Sequence, residues 1–138
     1  MSLSMKAVVL FVVFVIAPSA IANAQGATCT QAVQNANNLA ATIAAASTNF
    51  WTHHQNFVDY VYGKKQSVVN SKTLAASELS LGTQTRGSMP NTLASFQAAI
   101  ATVQAMNCMP AATLQTLIEA TTTHARNVNF GRFPLSED

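Results

Sequence analysis

Charge is what this sequence has least of. Only 9% of its 138 residues are Asp, Glu, Lys or Arg. Beyond residue 24, six basic side chains stand against five acidic ones, a net of +1. A nucleic-acid backbone is held by a dense cationic face, so nucleic acid is not an expected partner. Acid–base catalysis needs positioned ionisable groups, and within the helical segments only Asp59, Glu78 and Glu119 supply carboxylates, all three read as solvated. There is no Gly-x-Ser-x-Gly elbow, phosphate loop or dinucleotide fingerprint. These absences argue against an enzyme and imply no cofactor. No Asn-x-Ser/Thr sequon occurs among the many asparagines, so N-linked glycan is not expected.

Long hydrophobic runs are also rare. The single one, Ala7 to Ala17, follows Lys6 and precedes Pro18 and the small-residue stretch "SAIANAQ". Eleven apolar residues reach only about 16 Å as a helix, half a bilayer core. The pattern is that of a secretory signal peptide over residues 1–24, with Ala22 and Ala24 satisfying the small-x-small cleavage rule. What remains, residues 25–138, suits a single helical domain with no transmembrane segment, secreted and extracellular. Its neutral surface of Thr, Ser, Asn and Gln repels neighbours weakly, which makes self-association possible.

Two cysteines lie in that domain, Cys29 and Cys108. In an exported chain an even count pairs, so one disulfide is expected, closing a loop long enough to stabilise the fold by about 4 to 5 kcal/mol in the chain-entropy account.

The periodicity is helical throughout. Cys29, Val33, Ala36, Ala40, Ile43, Ser47, Phe50, His54, Phe57 and Val61 follow one another in steps of four and three, the spacing of a single buried stripe. Gly63 ends that stripe, with Lys64 and Lys65 suited to the negative end of the helix dipole. A second helix is expected from about Val68 to Leu81, stopping at Gly82, and "GTQTRGSMP" is expected as a loop by its glycines and proline. Leu93, Phe96, Ile100 and Val103 mark a third helix closing near Asn107. Pro110 opens a last one carrying Leu114, Leu117, Ile118, Thr121 and Ala125. An irregular tail is expected from about residue 128, its Phe130 and Phe133 folding back.

The expected fold is therefore all-α, a small bundle of four to five helices with the disulfide Cys29–Cys108. One helix over residues 29 to 62 would run about 50 Å, long for a domain of this size. In an up-down-up-down arrangement it would also leave the two cysteines at opposite ends, although bonded cysteines need Cα atoms within about 7 Å. A break at Ser47 to Asn49, whose side chains compete for backbone hydrogen bonds, resolves this. The other solution runs the second and third helices in tandem along one unbroken first helix. The register across Ser47 favours that second solution; we expect the break.

The densest chemistry lies in "NFWTHHQNFVDYVYG", residues 49 to 63, with five of the eight aromatic side chains beyond residue 24 and two of the three histidines. Aromatics at helical spacing ordinarily pack in a core. The same face can instead line a pocket, and Phe50, Trp51, His54, Phe57, Tyr60 and Tyr62 are the candidate ligand-binding residues, Trp and Tyr offering a polar handle. His53 and His54 point about 100° apart on a helix, whereas ligands from one helix sit four residues apart. With only His124 as a distant third, no metal site is expected. The expected function is a secreted, non-enzymatic helical binding protein that holds an apolar small molecule or a protein surface against residues 50–62. A structural or self-associating extracellular protein is the alternative, and a histidine-based hydrolase or metalloprotein comes third.

Overall fold

The computed structural model describes residues 18–130 of the chain, and side chains from 28 to 128. Among these the protein is all-α, with three helices and no strand: α1, Pro18–Val61; α2, Ser71–Ala105; and α3, Ala111–Phe130. The chain divides into two compact units between Gln31 and Ala32. Of the first unit only the opening of α1 is described. The second holds the rest of α1, all of α2 and α3, and the core.

That core repeats every seven residues. On α1 it takes Ala36, Ile43, Phe50 and Phe57; on α2 Ala75, Met89, Phe96 and Val103, with Gly82 buried at the intervening position; on α3 Leu114, Val128 and the buried Thr121. Three helices with one seven-residue period bury a narrow seam each, the pattern of coiled-coil packing. Within the second unit α1 and α2 run antiparallel. Phe50 meets Arg86, while His53 and Asn56, further along α1, meet Glu78, earlier on α2. Helices α2 and α3 pack on each other as well.

The count of four to five helices is corrected to three. Two expected interruptions do not occur. At Ser47 to Asn49 α1 continues without a break, because Ser47 itself is buried on the stripe between Ile43 and Phe50, both with no exposed surface. Thr52 Oγ1 bonds back to the Thr48 carbonyl within the helix. The expected loop "GTQTRGSMP" is the middle of α2, which passes through Gly82, Gly87 and Pro90. A proline inside a helix costs about 3 kcal/mol and each glycine about 1. Burying Met89, Phe96 and Val103 almost completely returns about 1.5 to 3 kcal/mol each, and Pro90 faces solvent. Packing wins over local propensity.

Merging the second and third expected helices leaves two helical passes between the cysteines rather than three. The objection that an unbroken α1 would separate Cys29 from Cys108 disappears with the extra pass. Both cysteines are disulfide-bonded, and neither is free.

The helix ends are chemically specific. Helix α1 stops at Val61, and Gly63 donates to the Val58 and Asp59 carbonyls at 3.1 and 3.2 Å. A Cβ on Gly63 would stand 3.1 Å from the Asp59 Cα, so a close approach of backbone, rather than a left-handed conformation, favours glycine there. Helix α2 ends on Asn107 in the left-handed region at φ 53°, with the Cys108 N–H donating to the Val103 carbonyl at 3.1 Å. That is a Schellman-type stop with asparagine in the glycine position. Pro110 lies one residue before α3 and its carbonyl accepts from Leu114. Helix α3 extends through Phe130; the rest of the expected tail, 131–138, and residues 1–17 of the expected leader lie outside the described residues.

Candidate functional site

The six candidate residues separate into three groups. Phe50 is core: its exposure is 0%, which leaves no surface for a ligand to touch. Around Phe50 the Trp51 ring stands edge-on at 5.4 Å and His54 lies tilted 5.0 Å from Trp51, an aromatic patch along one helix. The Arg86 guanidinium covers the Phe50 ring from α2 at 5.3 Å. Beside Trp51 a depression of about 510 Å³ is lined by Ser47, Thr48, Thr52, Gln55 and Asn56. All of these belong to α1, so the depression is open helix surface without a second wall.

The second group, Phe57 and Tyr60, together with Val61, forms one wall of a cleft of about 370 Å³. The facing wall comes from the start of α2: Ala75, Ala76 and Leu79, with Ser71 and Lys72 toward the turn, and Gln66 closes the end. The cleft exists because alanines oppose aromatics. Small side chains at residues 75 and 76 leave volume that larger ones would fill, and a volume of this order is typical of small-molecule sites. Its walls are mostly apolar, with Tyr60, Gln66, Ser71 and Lys72 as the lining residues that carry polar groups. Lys65 Nζ lies 5.2 Å from the Tyr60 ring centroid, a cation–π contact that orders the turn against the cleft.

Tyr62, the last candidate, is 55% exposed and lines no part of this cleft.

Two of the three carboxylates are buried or largely buried and engaged, while Glu119 is exposed. Glu78 is largely buried, and its Oε1 accepts from Asn56 Nδ2 at 2.7 Å and lies 3.1 Å from His53 Nδ1. This polar clamp joins α1 to α2 between the cleft and the Trp51 patch. Asp59 is buried, accepts from Gln55 Nε2 at 3.0 Å and has Lys64 Nζ at 4.0 Å. Glu119 accepts from Gln115 on the surface of α3. His124 is exposed on α3. Among the described residues no three His, Cys, Asp or Glu side chains gather in a metal-holding group, and no helix is long and apolar enough to cross a membrane.

A scan against protein-family models and searches of curated proteins and of solved structures find no significant match to this chain.

Of the candidates read from the sequence, Phe57 and Tyr60 line the cleft, whereas its α2 wall was not among them. The signal was present: Ala75, Leu79, Gly82, Arg86, Met89 and Leu93 keep the same four-three steps as α1. Carrying that register through Gly82 would have joined the two expected helices into one with Ala75 on its buried stripe, though it would not have shown which α1 residues stand opposite it.

Proposed function

We propose that the protein is a non-enzymatic helical binding protein, exported from the cell, that holds a small apolar molecule in the cleft between the end of α1 and the start of α2. The observation that carries this reading is the cleft itself, with Phe57, Tyr60, Val61 and Leu79 supplying apolar contact and Ala75 and Ala76 supplying room. A few polar groups among apolar walls, from Gln66, Ser71 and Lys72, suit a ligand with an apolar body and a polar group. The bonded cysteine pair supports export, since disulfides persist in oxidising compartments. The engagement of Asp59 and Glu78 in structural contacts supports a binding rather than a catalytic role.

The test is to narrow the cleft without touching the core. Ala76 is exposed on α2 and lines the cleft, so Ala76→Trp places a ring across it while the helix is kept. Titration with a fluorescent single-chain fatty acid is expected to show saturable binding to the native protein, reduced at least tenfold in the variant, with helical circular dichroism unchanged. Equal binding by both proteins, or none by either, overturns the reading.

A further inference from the structure

All three lysines beyond the leader, Lys64, Lys65 and Lys72, fall within nine residues at the end of the hairpin where α1 gives way to α2. No carboxylate occurs between Asp59 and Glu78 in the sequence, and those two are buried or largely buried and already engaged by Gln55, Asn56 and His53. The end of the hairpin is thus a local concentration of positive charge on a chain that is otherwise nearly uncharged. Lys64 remains 79% exposed despite its 4.0 Å approach to Asp59.

The same segment leaves apolar side chains in water. Val69 is 80% exposed, Val68 45%, Tyr62 55% and Leu74 37%. Elsewhere among the described residues the exposed large hydrophobics are only Trp51 and Leu81. Val68 and Val69 stand on a tight irregular turn held by its own backbone bonds, Gln66 to Gly63, Val68 to Lys65 and Ser71 to Val68. Neither collapses onto the helices, although the core begins one turn away at Phe57 and Ala75.

We propose that this end of the hairpin, residues 62–74, docks on an anionic lipid bilayer. Lysines meet the negative headgroups, each contributing a roughly fivefold gain near an anionic surface. Val68 and Val69 enter the headgroup boundary, and Tyr62 takes the interfacial position that tyrosine favours. Charge complementarity selects the partner; the exposed valines distinguish a bilayer from an acidic protein, which would be met by the lysines alone. This proposal does not depend on a ligand in the cleft, although Lys72 borders both.

The experiment is vesicle co-sedimentation of the full mature chain, comparing phosphatidylcholine vesicles with and without phosphatidylglycerol. Binding is expected to the anionic vesicles and to weaken with salt. Lys64→Ala, Lys65→Ala and Lys72→Ala together are expected to lower it about a hundredfold, following the same fivefold factor for each. Val68→Ser with Val69→Ser, at positions whose side chains are already in water, is expected to lower it about tenfold or more. Ala76→Trp is expected to leave vesicle binding unchanged while blocking the fatty-acid probe, which separates the two readings. No preference for anionic vesicles overturns the proposal, as does loss of vesicle binding in Ala76→Trp. So does indifference to the valine substitutions, and if soluble polyglutamate then competes for the lysines, an acidic protein is the partner instead.

Discussion

Phe50 shows how one side chain can be both the obvious candidate and the wrong kind of candidate. Its position on the stripe and its aromatic neighbours made it a ligand contact in the sequence, yet it has no exposed surface, with Trp51 at its edge and Arg86 over its face. Phe50→Ala is expected to destabilise the protein by about 3 to 5 kcal/mol, the range for buried phenylalanine, read as a lower urea midpoint. Glu78 is the converse. Its carboxylate reads as solvated from composition, but it serves Asn56 and His53 across the helix pair. Glu78→Ala is expected to cost about 1 to 3 kcal/mol, because the Asn56 amide loses a part-buried acceptor; an unchanged urea midpoint would show the clamp to be idle. A carboxylate's partner on another helix depends on inter-helix register, which one position in a sequence does not carry. Burial on a helix's own stripe does not have that dependence, and so Phe50 and Phe57 were legible as apolar face, and Glu78 illegible as an acceptor between helices.

Helix α2 is the element where local and distant evidence disagree. Gly82, Gly87 and Pro90 read as loop, and the helix runs through them because Met89, Phe96 and Val103 are held in the core. Gly87 therefore occupies a helix interior it does not favour, and an added Cβ there meets no heavy atom within 4 Å. Gly87→Ala is expected to raise stability by about 0.5 to 1 kcal/mol, seen as a higher thermal midpoint; if the segment were a loop, the gain would be absent. Asn107 makes the opposite prediction. Its φ of 53° penalises a Cβ without a local polar side chain, so Asn107→Ala is expected to cost about 1 to 2 kcal/mol, whereas Asn107→Gly is tolerated. The four-three register of α2 was visible, but punctuation by glycine and proline outweighed it in the reading. The unbroken stripe of α1 posed the same choice at Ser47, with the same outcome. In both elements, continuity of a seven-residue period over five or more turns was stronger evidence than a short cluster of breakers.

For the molecule as a whole the covalent link is the largest single lever. Cys29 and Cys108 are bonded, and the loop they close, about 80 residues, is worth about 4 to 5 kcal/mol through the unfolded chain. Replacing both cysteines by serine is expected to lower the unfolding free energy by that amount; equal melting of reduced and oxidised protein would contradict it. Composition and period sufficed for the all-α class, the pairing of the cysteines and the apolar face of α1, since each depends on residue identity and spacing along one chain. The number of helices, the cleft opposite Phe57 and Tyr60, and the partners of Glu78 came from packing. They depend on which residues of α2 stand beside which residues of α1, and that alignment is set by burial energies summed over two long antiparallel helices, a quantity no single window of sequence contains.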